Sequence, residues 1–115
     1  MRSNTLDVAA AARHLPDGAE YSEPTLWVLA SLAGGPSHGH AMIAEIVRLG
    51  GTRLGPGTLY GAITRLEQQG WIEPLPPEDR RRPYRLTGDG AEVLRHRLIT
   101  LGRLSLTALR LLEAQ

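Results

Sequence analysis

Residues 56–87 read PGTLYGAITRLEQQGWIEPLPPEDRRRPYRLT, and the period of the apolar residues changes midway. From Pro56 to Gln69 the apolar positions Leu59, Ala62, Ile63 and Leu66 recur at helical spacing, with Pro56 suited to a first helical position and Gly70 to a terminator. After Gly70, Trp71–Leu75 and Pro83–Thr87 read as two short strands around a charged loop, residues 76–82, that holds Arg80, Arg81 and Arg82. Pro74 and Pro83 each lack a ladder donor, which confines this hairpin to edge positions. Opposite the apolar stripe of the helix lie Gly57, Gly61, Thr64, Arg65 and Gln68, small at first and polar later. Such a face lets a helix come close to another surface.

Two shorter helices are expected before this segment. Ser22 reads as the cap of the first, with Glu23 and Pro24 in its opening turn, Leu26, Leu29, Ala30 and Ala33 on one face, and Gly34-Gly35-Pro36 as its end. Ser37 reads as the cap of a second, over residues 38–49, with Ala41, Met42, Ile46 and Leu49 inward and Gly50-Gly51 closing it. Further out, Met1–Tyr21 carries an Ala-rich piece, Val8–Ala12, stopped by Pro16-Asp17-Gly18, and reads as an arm or short helix.

On the other side, Thr87 caps a last helix that runs from about Gly90 to the C-terminus, with Asp89 favourably placed in its first turn. Leu94, Leu98, Leu101, Ser105, Ala108 and Leu112 alternate spacings of four and three, a heptad-like seam, while His96, Arg103 and Arg110 take the far side. Leu104, Leu109 and Leu111 widen the seam. A strip this broad needs a partner, and a second copy of the same helix is the simplest one, so a homodimer is expected.

The composition agrees with one ordinary domain: 115 residues, 42% hydrophobic, 22% charged, no cysteine. Without cysteine, disulfides, thiolate metal sites and cysteine nucleophiles are excluded. The longest apolar run, Leu26–Ala30, is far short of a membrane span, and Asp7 and Arg13 interrupt the stretch a signal peptide would need, so a cytoplasmic protein is expected. No residue is Phe, so the core must come from Leu, Ile, Val and Ala, which favours helices. The net charge of +1 is too small to announce a nucleic-acid binder by itself; what matters is that Arg80, Arg81, Arg82 and Arg85 fall within six residues, directly after the helix with the small face.

Helix, helix, turn, helix and basic hairpin is the order of a winged helix-turn-helix. The fold class expected is therefore mainly α with a small β-hairpin, divided into an N-terminal arm (1–21), the winged unit (22–87) and a long C-terminal dimerisation helix (88–115). In such a fold the helix opening at Pro56 enters the major groove of double-stranded DNA. Its positive end favours phosphate, Thr58 and Tyr60 can donate to phosphate oxygens, and Gly61, Thr64, Arg65 and Gln68 form the face at the base edges. Arg80, Arg81 and Arg82 would supply the sequence-independent term. Against this, Glu78 and Asp79 nearly neutralise the wing tip, so its arginines also read as a solvated loop. The alternative from another class is a winged-helix module that binds protein without DNA.

Trp27 sits a quarter turn off its helix's apolar face, as dimer-interface core or as a wall of an effector pocket completed by Leu101, Leu104 and Ser105, one hydroxyl in an aliphatic seam. His38 and His40 are two apart at a helix start and do not share a face, so no metal site is expected, and nothing in the sequence asks for a cofactor or points to an enzyme.

Three ordered motifs, Pro56-Gly57-Thr58-Leu59-Tyr60, Leu66-Glu67-Gln68-Gln69-Gly70-Trp71-Ile72 and Arg81-Arg82-Pro83-Tyr84-Arg85-Leu86-Thr87, make residues 21–115 resemble the PadR family of bacterial transcriptional regulators. Gly55 stands where a Ser-like cap is usual in that family, Gly61 where Pro is common, and the N-terminal arm is longer than many members carry. The resemblance implies a dimeric winged-helix repressor of operator DNA, dimerised by its C-terminal helix and relieved by a small apolar or phenolic effector.

Overall fold

A computed structural model of the protein describes residues 23–115; the arm expected over 1–21 and the cap expected at Ser22 lie outside the described residues. The chain order is α1 (Glu23–Ser31), α2 (Gly39–Arg48), α3 (Pro56–Gln68), β1 (Ile72–Pro74), β2 (Tyr84–Leu86) and α4 (Gly88–Glu113), a mainly helical winged fold with one antiparallel hairpin.

In α3 the expected stripe is the buried one: Leu59, Ala62, Ile63 and Leu66 are all inside. They meet Val28, Leu29 and Leu32 from the first helix and its exit, Met42, Ile43 and Ile46 from α2, Ile72 from β1 and Leu94 from α4, an aliphatic core without a single Phe. Each of the Leu, Ile, Val and Met side chains contributes about 1.5–3 kcal/mol when taken fully out of water.

The first two helices are rotated from their expected faces. In α1, Thr25, Val28 and Leu29 turn inward, followed by Leu32 just past the helix end; Leu26 and Ala30 are half-buried and Ala33 is exposed. Nearly every residue from Pro24 to Ala33 is apolar or small, so the period marks no unique face and the packing partners choose it. In α2 the buried set is Gly39, Met42, Ile43 and Ile46, with Ala41 and Leu49 exposed. The cap of α2 is His38, whose Nδ1 accepts from the Ala41 N–H at 3.5 Å, and not Ser37. Ser37 is occupied otherwise: its N–H donates to the Tyr84 carbonyl (3.0 Å) and its carbonyl accepts from the Tyr84 N–H (2.9 Å). That pairing gives β2 a neighbour on each side, because β1 runs along its other edge with Ile72 opposite Leu86 and Pro74 opposite Tyr84.

The segment between the strands is more ordered than a charged loop. Glu78 and Arg81 exchange both backbone hydrogen bonds at 2.7 Å, and the two residues between them, Asp79 (φ 47°) and Arg80 (φ 67°), are both left-handed, the signature of a two-residue turn matched to strand twist. The sequence offered no Asn-Gly or Asp-Gly here to mark such a turn.

Thr87 caps α4 as expected. Its hydroxyl accepts from the Gly90 N–H (3.0 Å) and donates to the Gly70 carbonyl (2.6 Å), while its own N–H donates to the Trp71 carbonyl (3.1 Å). Gly90 is buried against that same backbone, and a Cβ there would overlap the Trp71 carbonyl oxygen. From Leu98 onward α4 leaves the body, which makes the described part of the molecule 55 Å long and about 26 Å across.

Candidate nucleic-acid interface

The side of α3 opposite its buried stripe is open. Gly57, Gly61, Thr64 and Gln68 follow one another at spacings of four, three and four down this face, and a Cβ added at Gly57 would meet nothing within 4 Å. Pro56 occupies the first turn, Gly55 is the N-cap, and no side chain caps it. The positive end of a 13-residue helix is therefore left to an outside acceptor.

Tyr60 and Arg65 flank this face. Tyr60 is half exposed, and its phenol oxygen lies over the backbone of Gly39, where a Cβ could not fit. Its ring thus rests on the start of α2, a position the sequence did not disclose. Arg65 folds back along the helix toward Gly61, whose added Cβ would sit 3.6 Å from Nη1; the buried Nε has no hydrogen-bond partner. Thr64 is exposed, and its Oγ1 donates to the Tyr60 carbonyl at 2.9 Å. Thr58 and Gln68 are exposed on the same helix.

The wing arginines divide into two kinds. Arg82 donates from Nη1 to the Leu75 carbonyl (2.8 Å), and Arg85 pairs across the hairpin with Glu73 (3.3 Å), so both brace the wing itself. Arg80 projects from the turn in its left-handed conformation. Arg81 brings Nη1 to 3.4 Å from His38 Nε2, linking the wing to the start of α2. A neutral imidazole has one lone-pair nitrogen, so His38 serves the Ala41 N–H or Arg81, one at a time. Sequence reasoning passed over His38 in this role because its partner is 43 positions away. At the wing root, burial pushes the Tyr84 phenol pKa up and the Glu67 carboxylate pushes it further, so Tyr84 stays a neutral hydroxyl at ordinary pH.

The other expected sites lie apart from this surface. Trp27 is half-buried, donates Nε1 to Glu23 (3.3 Å) and packs its ring over Gly51, where a Cβ would come within 3.0 Å of Cδ2. Of the seam, Leu94 is buried in the core, Ala108 is half-buried, and Leu98, Leu101, Leu104, Ser105 and Leu112 are exposed on the projecting part of α4. Ile99 and Leu106, which the seam reading omitted, are exposed on another flank of the same helix. Among the described residues no three His, Cys, Asp or Glu side chains group as metal ligands, and no helix is long and apolar enough to cross a membrane.

Comparison with known proteins agrees with this geometry. A 37.1 kDa protein in transposon TN4556 of Streptomyces fradiae is 44% identical over 84 residues, 73% of this chain; the chain spans about a quarter (24%) of that relative's length. A transcriptional regulator from Clostridium thermocellum superposes with a TM-score of 0.64 at 25% identity, over 74% of this chain and 85% of that one. A PadR family transcription regulator from hypervirulent Clostridium difficile shares the fold with a TM-score of 0.68 at 21% identity, covering 79% of this chain and 99% of its own. The model of the transcriptional regulator PadR-like family matches residues 28–96, from the first core helix through the wing into α4, and with that match the chain belongs to the PadR-like family of transcriptional regulators.

Proposed function

We propose that the protein is a homodimeric repressor of double-stranded operator DNA, released by a small apolar or phenolic effector. The observation that carries the reading is the open face of α3, with an uncapped positive end and no side chain at Gly57 or Gly61, set beside a wing whose tip offers Arg80 and Arg81. In this reading α3 lies in the major groove with Thr64, Arg65 and Gln68 toward base edges, Thr58 and Tyr60 toward phosphates, and Arg80, Arg81 and Arg82 along the flanking backbone. Leu98, Leu101, Leu104, Ser105, Ala108 and Leu112 form the dimer seam; Leu94, expected with them, is instead spent in the core of its own chain.

The engagement of Arg82 and Arg85 within the wing favours the competing reading, a wing that merely stiffens a protein-docking module. Salt separates the two. Replacing Arg80 and Arg81 with Ala lowers affinity for all duplexes alike and flattens the slope of log affinity against log salt by about one unit per lost phosphate contact, with sequence preference intact. Unchanged affinity and slope in a filter-binding series from low to high salt would leave the protein-docking reading standing.

The effector site is assigned beside Trp27, walled by Leu101, Leu104 and Ser105 in the dimer. An apolar ligand there shifts the angle between the two winged units, and lowers operator affinity by the ratio of its affinities for the two arrangements. Phenolic and lipophilic compounds should quench tryptophan fluorescence in the wild type and not in Trp27→Leu, which retains Trp71. Quenching that persists in the variant refutes the site.

A further inference from the structure

Thr64 lies in the middle of the open face of α3, and its hydroxyl is already in use. Oγ1 is 2.9 Å from the Tyr60 carbonyl oxygen, one turn earlier. A carbonyl oxygen only accepts, so the hydroxyl hydrogen points back into the helix. Thr64 therefore has no proton to give to a guanine O6 or N7, or to a phosphate oxygen. The oxygen can still accept, but with its proton committed the hydroxyl cannot donate, and the Cγ2 methyl is the apolar part of this exposed side chain left for a partner.

The neighbours suit a short apolar contact. Gly57, seven positions earlier on the face, has open space where a Cβ would be, and Gly61, three positions earlier, carries only the folded-back end of Arg65, so the N-terminal part of the helix can approach a surface until a side chain as short as Thr touches. Arg65 is folded toward Gly61, one turn back. β-Branching and the Tyr60 bond together fix the rotamer, so little side-chain freedom is lost on contact. In the major groove the apolar feature a methyl can recognise is the C5-methyl of thymine.

Resting on the DNA-binding reading above, we propose that Thr64 is a specificity-determining residue that reads thymine through its methyl group and not through its hydroxyl. The test begins with an operator selected by the wild-type protein from a random duplex pool, and then replaces each thymine in turn with deoxyuridine, which removes only the methyl. At one position the wild type should lose about fourfold in affinity, the worth of one buried methyl. Thr64→Val, which keeps the methyl and loses the hydroxyl, should bind the operator within about twofold of wild type and show the same loss with deoxyuridine. Thr64→Ser, which does the opposite, should bind the two duplexes equally. Sequence-specific binding that survives Thr64→Ser and fails in Thr64→Val overturns the inference and leaves the DNA reading intact, as does indifference to deoxyuridine at every position. If the pool yields no enriched sequence, the DNA reading falls and this inference with it.

Discussion

Leu101→Glu should turn the proposed dimer into monomers and lower operator affinity by about a hundredfold or more, the share that a second linked half-site contributes. The face that buries Leu94 in the core continues past it without cover: Leu98 is 47% exposed, Leu101 40% and Leu112 69%. A glutamate at Leu101 would sit near a two-fold axis and meet its own copy in an apolar setting, where an unpaired carboxylate costs several kcal/mol. Two recognition helices held about 34–36 Å apart read half-sites one turn apart, so a monomer keeps one half-site only. Sedimentation velocity at micromolar concentration, paired with operator titration, reads both effects. A wild-type chain that sediments as a monomer refutes the dimer, and a variant that stays dimeric refutes the place of Leu101 in the seam.

Gly90→Ala should cost about 3 kcal/mol or more and lower the melting temperature by about 15 °C at equal protomer concentration. Gly90 has ordinary helical geometry; what demands glycine is the Trp71 carbonyl, which occupies the space a Cβ would take. Backbone cannot swing aside as a long side chain does. The methyl must therefore push α4 off residues 70–71, breaking the hydrogen bonds from Thr87 to the Gly70 and Trp71 carbonyls. By contrast Gly88→Ala, two residues earlier in open space, should change stability little. Equal melting curves for the two variants, followed by circular dichroism, would show that the helix start tolerates displacement.

These two glycines look alike in the sequence, and their difference marks where reading from residues ended. The winged order, the α3 core stripe, the strand positions and the Thr87 cap were all legible, because each rests on a short-range rule: a period, a terminator, a cap three residues from its donor. The inward face of α1 was not, since a run of apolar and small residues has no contrast from which to read a period. Ser37 alone was read as the cap of α2, and its pairing with Tyr84, 47 positions on, leaves that place to His38. On the open face of α3 and on the wing the residue types were legible and their states were not. That Arg82 and Arg85 are tied within the wing, that Arg81 reaches His38 and that the Thr64 proton is spent on Tyr60 are all outcomes of three-dimensional proximity.

The docking of the start of α4 also makes that helix a lever. Thr87, Gly90 and Leu94 fasten its first turns to the body that carries α3, and its 26 residues run on unbroken for about 39 Å. A body fixed to one end of so long an arm turns small rotations at the other end into large displacements: about 10° there moves the near end by about 7 Å, roughly two base-pair steps of 3.4 Å. Mechanical gain is thus set by the number of helical turns between the body and the pivot. Adding or removing a turn would rescale how strongly events at the far end are felt at α3 without altering a single residue of the α3 face.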